Sequence, residues 1–490
     1  MRFSKIRQLV VKRSVLIERH ATSGARPDEI GTHTHTCACR ESGRDECRQL
    51  RSKEWPCNGP PSEMLPRAES LRALVRRAIS LRTDWPRHVD QYAGVLCSLF
   101  GRLRFFEDGW GRVALAAELT RVLSGATHPE HLPRGEEHLL ARDGAGPAGS
   151  GYTFGLDELR AATRQQAADI ELNELFMRSL RYRLHMHRLR AQNWTAYEGT
   201  FQSPSELLVP GILPEESRTA RFLLVAPRSA SHAPLEEVSV PVVCVLAGTG
   251  DHSYMRRLHN VAMPLARRGV ASVLVESPYY GARKPCSQVG ARLRQVADLF
   301  VLGFAQILET MSILHWLQCK QGRDVCLAGY SQGGLHAAMV ASLVREPVKT
   351  VLAFAPHSAE FVFTDGVLGR QVDWHALQRH EFPLGKRAHG RAGNGDGERG
   401  TQWHQLAALL RMTDIRFFPN CERHDQAVLL FGDSDAYIAA DSVRIWKDRW
   451  PHAEIQVLPT GHVGGILFET QALQNAVLKA LGVRDQYGVA

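Results

Sequence analysis

From about residue 195 onward the chain alternates two textures, short runs of apolar and β-branched residues and longer stretches with helical spacing of the apolar positions. TAYEGTFQSP and ARFLLVAP read as early strands, and VPVVCVLAGTGD as a strand running into glycines. Helical SYMRRLHNVAMPLARRG, the strand ASVLVESP and a long helix over about 288–320 follow. VCLAG, GGLHAAMVASLV, TVLAFAP, AVLLFGDSD and EIQVLPTGH continue the alternation, and a helix over 468–482 closes it. Such alternation predicts a mostly parallel sheet with helices on both faces and right-handed crossovers. Parallel strands buried on both sides are continuous apolar runs, as these are. The most apolar helical stretch, FVLGFAQILETMSILHWL, carries Gln306 and Glu309 and reads as a buried helix.

Upstream the pattern is weaker. A helical patch covers about Ser70 to Ile79, residues 120–155 are rich in Gly, Pro and His, and helical spacing with a basic face runs from Leu156 to Arg190. Three parts are expected: a basic extension over 1–86, a mostly helical region over 87–194, and an α/β domain over 195–485. Within the last, the segment from about 357 to 425 is long enough for a lid, and KRAHGRAGNGDGERGT at 386–401 reads as a disordered insertion.

Charge sharpens this division. The 490 residues carry a formal charge of +9, but residues 1–86 hold 17 Lys and Arg against 10 Asp and Glu. The remainder has almost no cationic excess with which to track a phosphate backbone, which argues against nucleic acid as a partner. The first 17 residues, MRFSKIRQLVVKRSVLI, are basic and free of acids, the character of an organellar transit peptide, with a mitochondrion or another organelle as destination. A solvated tail is the alternative. The run RYRLHMHRLR is a candidate for peripheral contact with acidic lipid headgroups or RNA, although a solvated helix face is the plainer reading. Ten scattered cysteines do not form the dense framework of a small secreted domain, and a reducing intracellular compartment is preferred. His33, His35, Cys37, Cys39 and Cys47 lie close together but lack a well-spaced second ligand pair, so no metal and no cofactor is expected.

The chemistry concentrates in CLAGYSQGGL. Ser331 stands where the strand ending at Gly329 turns into a helix beginning near Gly333, and such a turn needs flanking residues without bulk. The hydroxyl is then lifted above the carboxyl edge of the sheet, facing the positive end of the following helix. A serine nucleophile needs a base and an acid to orient it, in the chain order serine, acid, histidine for the α/β-hydrolase arrangement. VLLFGDSDAYI offers Asp433 and Asp435 at a strand end, and LPTGHVGG places His462 after the last strand. Asp435 is preferred, because Asp433 sits nearer the strand and suits the turn. Backbone N–H groups of Gln332 and of the LAGTGDH loop, with Thr249 and Gly250 nominated, would form the oxyanion hole. In the lid, Phe361, Val362, Phe363 and Val367 would line an acyl groove, or pack beneath the lid as core.

LAGTGDH with Arg256 and Arg257, VESPYYGARKP, ADLFVLG, GYSQGG, FTDGVL, GDSDAYI and TGHVGG, in this order, resemble a particular α/β-hydrolase family. It is the one that includes the eighteenth member of the mammalian hydrolase-domain-containing series and its plant-like relatives. The resemblance covers about residues 90–115 and 195–482. It implies an α/β-hydrolase fold, a triad of Ser331, Asp435 and His462, and the AGTGDH loop in the place of the HGGG loop of lipases. Relatives are loosely described as hydrolases, some linked to lipid metabolism. Here Gln332 stands where that family more often has Met, and the N-terminal extension and the 386–401 segment are additions.

Together these readings predict a serine hydrolase acting on acyl esters, lipid-like ones included, through an acyl-enzyme intermediate. The rivals are a catalytically silent hydrolase fold serving as a membrane-associated scaffold, and an acyltransferase using an alcohol in place of water. Composition and motifs leave the oligomeric state open.

Overall fold

A computed structural model describes residue 90 and residues 104–124, 154–174, 194–227, 240–320, 324–382, 400–421 and 424–483. Its centre is a nine-stranded sheet in the order β1-β2-β3-β5-β4-β6-β7-β8-β9. The strands are β1 Glu171–Glu174, β2 Trp194–Gln202, β3 Thr219–Pro227, β4 Val242–Leu246, β5 Ala271–Glu276, β6 Val325–Tyr330, β7 Lys349–Ala353, β8 Ala427–Gly432 and β9 Glu454–Leu458. The first three pair antiparallel and join β5 antiparallel; every other pairing is parallel. The predicted mostly parallel sheet is therefore present.

Two apolar cores sandwich it. Along β4, Val242, Cys244 and Leu246 enter one core while Val243 and Val245 enter the other, and β6 divides in the same way between Val325 and Leu327 and the pair Cys326 and Ala328. This period of two explains why central strands are apolar throughout: each side chain has a covered face to enter. Fully burying one such side chain contributes on the order of 2 kcal/mol.

The larger core is covered by α1 (Val113–Leu123), α2 (Leu156–Ala168), α3 (Val296–His315) and α4 (Gln332–Leu343); between β7 and β8 lie α5 (Ala359–Phe363) and α6 (Thr401–Arg411). The other core is covered by the helical turns from Met255 to Ala266 and by α8 (Thr470–Leu481), which follows the short α7 (His462–Phe468). A bidentate pair, Arg283 to Glu309 at 2.7 and 2.6 Å, lies wholly inside, with Arg283 also donating to the carbonyls of Glu276 and Ser217.

Several expectations are corrected. The helix expected to run from 156 to 190 stops at Ala168, and β1 follows, paired antiparallel with β2. The long helix begins at Val296 rather than 288, because the Asp298 carboxylate accepts from the Gln295 N–H at 2.9 Å and caps it there. Residues 400 and 401, expected to be disordered, open α6. Nor do the described residues of 87–194 form a region apart. Phe105, Phe106 and Trp110 belong to the larger core, Phe105 exchanges 2.8 Å backbone bonds with Gln371 and Asp373, and the Trp110 indole donates to the Leu377 carbonyl at 3.1 Å. The expected basic extension over 1–86, the cysteine and histidine cluster, the RYRLHMHRLR run and residues 386–399 lie outside the described residues.

Among the described residues one helix, 296–318, is long and apolar enough to cross a membrane, and 94% of its apolar window is buried within the fold. It is the buried helix expected from Gln306 and Glu309, both of which are fully covered.

Candidate active site

Ser331 occupies the turn between β6 and α4 with φ +53° and ψ −122°, a backbone conformation that side chains rarely adopt. The neighbouring glycines show why it is tolerated. A Cβ on Gly329 would stand 2.1 Å from the Gly333 carbonyl oxygen, and one on Gly333 would stand 2.5 Å from that of Ala247. The Ser331 N–H donates to the Ala353 carbonyl at 2.8 Å, which fixes the turn to β7.

The two other predicted members meet it. His462 Nε2 is 2.9 Å from Ser331 Oγ, and its Nδ1 is 2.7 Å from Asp435 Oδ2. Asp435 also accepts the N–H groups of Tyr437 at 2.9 Å and Ile438 at 3.2 Å, so its loop folds around the carboxylate. Asp433 instead accepts from the Ser434 hydroxyl, at the surface. The Tyr437 ring stacks on the imidazole at 4.7 Å and the Phe354 ring meets it edge-on at 6.1 Å. Burial alone would lower the His462 pKa, but the charge and hydrogen bond of Asp435, aided by the charge of Asp90, leave it raised above its ordinary value.

Of the nominated oxyanion donors, Gln332 and Thr249 line the same cavity as Ser331, and neither backbone N–H has an acceptor among the described residues. Gly250 is a correction. Unlike its neighbour Thr249, it does not line the cavity; nearby, the Tyr280 hydroxyl donates to the Ala291 carbonyl at 3.2 Å. The loop is braced from below by Asp251, which accepts from buried Arg257 at 2.9 Å while Arg257 also donates to the carbonyls of Val245 and Val275. The Thr249 hydroxyl donates to Gln332 Oε1 at 2.9 Å, tying the loop after β4 to the turn after β6. Gln332, nominated for its backbone N–H, is therefore also a clasp between the two donor segments through its side chain.

The cavity beside Ser331 measures about 430 Å³. Of the nominated groove residues Phe363 lines it, as does Val362, whereas Phe361 and Val367 do not. In α5, Ala359, Val362 and Phe363 share one face by the i, i+3, i+4 rule, and Phe361 points away from it. Most of the apolar wall comes from elsewhere: Leu299, Phe300, Phe304 and Ile307 of α3, Leu335 and Met339 of α4, and Phe105 and Leu123 before the sheet. Helical spacing marked α3 as buried, but spacing alone cannot distinguish a wall facing a void from one facing core. His336 also lines the cavity, its pKa pushed down to about 4 by burial and its Nδ1 bonded to Gln306 Oε1 at 2.8 Å, so the imidazole is neutral.

Sequence reasoning missed Asp90 altogether. Its carboxylate is fully buried and accepts the N–H groups of His462 at 2.7 Å, Val463 at 2.8 Å and Ala436 at 3.2 Å. An aspartate so far from the other residues in sequence gives no local signal. Among the described residues no cluster of three or more His, Cys, Asp or Glu side chains is placed to hold a metal ion.

A family profile described as alpha/beta hydrolase domain containing 18 matches residues 103–483. Solved structures similar in fold include an acetyl xylan esterase from Paenibacillus sp. R4, 14% identical, TM-score 0.43, covering 66% of this chain and 92% of its own. Acetyl xylan esterase 1 from Thermoanaerobacterium sp. JW/SL YS485 is 15% identical, TM-score 0.41, covering 67% and 94%. The acylaminoacyl peptidase of Pyrococcus horikoshii is 11% identical, TM-score 0.37, covering 63% and 44%. The chain belongs to the alpha/beta hydrolase domain containing 18 family, and its fold is the α/β-hydrolase fold.

Proposed function

We propose that this family member is a serine hydrolase that cleaves acyl esters, with lipid-like esters as its substrate class. The observation that carries the reading is the continuous relay from Ser331 Oγ through His462 to Asp435, at 2.9 and 2.7 Å, opening onto an apolar cavity. Ser331 Oγ attacks the ester carbonyl carbon and passes its proton to His462 Nε2, while Asp435 holds Nδ1–H and stabilises the imidazolium. The carbonyl oxygen, now an oxyanion, is received by the N–H groups of Gln332 and Thr249. As the carbonyl reforms, the bond to the alcohol oxygen breaks and His462 returns the proton to that oxygen. Water then attacks the acyl-serine carbonyl, giving a proton to His462, and as the bond from the acyl carbon to Ser331 Oγ breaks, His462 returns that proton to Oγ and the acid leaves.

The apolar wall supports an acyl chain over a peptide, since a cavity of about 430 Å³ is of the size that small-molecule sites use. Labelling of the purified protein by a fluorophosphonate probe tests the reading. Wild type should label and Ser331→Ala should not, after which medium- and long-chain esters should be turned over by wild type alone. A folded wild type that the probe leaves untouched would overturn the hydrolase reading in favour of a silent scaffold. Product analysis with an added alcohol distinguishes transfer from hydrolysis.

A further inference from the structure

Resting on the hydrolase reading, we propose that Asp90 is a positioning residue for the acid and base: one carboxylate holds the loop of Asp435 and the helix of His462 together. Its hydrogen-bond partners lie on both segments. Oδ2 accepts from the Ala436 N–H, next to Asp435, and from the His462 N–H itself, while Oδ1 accepts from Val463. Each of the two segments that carry the relay to Ser331 is thus anchored to the same side chain.

The reason lies in how α7 starts. Its cap residue is Gly461, which has no side chain to receive the first N–H groups of the helix. Asp90 supplies that acceptor from elsewhere in the chain, and Gly461 must be glycine for it to fit, since a Cβ there would lie 2.7 Å from Asp90 Oδ2. No cation pairs with Asp90 among the described residues. A fully buried carboxylate without a counter-ion is costly, and three charge-assisted backbone bonds offset that cost only while both segments stay in place. Burial raises the Asp90 pKa, the three N–H groups pull it back, and the Asp435 charge adds to the rise.

Among the described residues the charged groups acting on His462 are Asp435 and Asp90, and the Tyr437 and Phe354 rings and the Ser331 hydroxyl also contact it. Asp90 therefore acts on the imidazole in two ways, by placing it and by presenting a second negative charge to its protonated form. A residue serving stability alone would do neither.

The experiment measures the second-order rate of fluorophosphonate labelling from acid to mildly alkaline pH, on full-length wild type, Asp90→Asn and Gly461→Ala, with the folded fraction checked by circular dichroism. Asp90→Asn keeps the shape but turns an amide N–H₂ toward backbone donors. It should label about tenfold more slowly or worse at alkaline pH, and the midpoint of its acid limb should move to lower pH. If that variant does not fold, Gly461→Ala carries the test: it displaces the carboxylate without removing the charge and should slow labelling in folded protein. Wild-type rate and midpoint in either folded variant would overturn the inference while leaving the hydrolase reading standing. A wild type that does not label would overturn the reading and the inference together.

Discussion

Ser331 takes its position from the residues beside it, whereas Asp435 and His462 take theirs from loops brought together across the chain. In GYSQG the positive φ of the serine, the bare glycines and the bond to Ala353 are settled among β6 and its neighbours β4 and β7. Asp435 and His462 follow the ends of β8 and β9, and Asp90, which joins their segments, precedes His462 by 372 residues. Ser331 is thus set by local sterics and the Asp435–His462 pair by long-range hydrogen bonding. Damage to the first should appear as strain, and damage to the second as lost reactivity in an intact fold.

The largest effect expected in the relay is from Asp435→Asn. The amide keeps an acceptor for the Tyr437 and Ile438 N–H groups, so the fold should persist, but it cannot hold the imidazole in the reactive tautomer. Labelling should fall about a thousandfold or more with little change in unfolding midpoint. An equal loss of stability and reactivity would erase the distinction between the regions.

Gly329→Ala breaks the other side. Its Cβ meets backbone atoms of the following helix, not a flexible side chain, so the turn must shift. We expect about 3 kcal/mol of destabilisation in denaturant titration, with labelling slowed about a hundredfold. Unchanged stability would mean the turn is softer than its steric setting implies.

Next in size is the pH dependence. Burial works against charging His462, but Asp435 and Asp90 outweigh it and hold its pKa above the ordinary 6.5. A protonated imidazole cannot take the Ser331 proton, so labelling should fall as pH drops through a midpoint above 6.5, by about tenfold per unit below it. A midpoint below 6.5 would mean that desolvation prevails over the carboxylates.

The smallest effect belongs to Gln332→Met. It removes the side-chain acceptor for the Thr249 hydroxyl but keeps the backbone N–H. The loss should be about 1 kcal/mol of stability, with labelling within about threefold of wild type.

The same contrast governs what the sequence disclosed. Strands β4 to β8 were legible because each holds a contiguous apolar run, β9 from the apolar residues of EIQVL at the end of the alternation, and the elbow because its glycines flank the serine. The order of Asp435 and His462 was legible from their placement after strands. β1 was not, for Glu171–Glu174 lacks the apolar alternation of a half-buried strand and is ordered by its pairing with β2. The nomination of Gly250 met a related limit: a glycine-rich loop shows where the chain turns, but not which of its residues face the cavity, as Thr249 does and Gly250 does not. Asp90 and the walls of the cavity are likewise properties of contact between remote segments. Periodicity identifies the covered face of α3 but not its cover.

That cover has a consequence for biosynthesis. α3 is a twenty-residue apolar helix, and α1 and α2, which cover part of it, are made before it, while β6 and α4 are made after. On the ribosome the early segments can receive α3 before the sheet is complete, since chains fold from the N-terminal side as they emerge. Without residues 104–174 the nascent helix would meet water, chaperones and the membrane insertion machinery with the face that α1 and α2 cover left bare, and more of its apolar length would resemble an insertion signal.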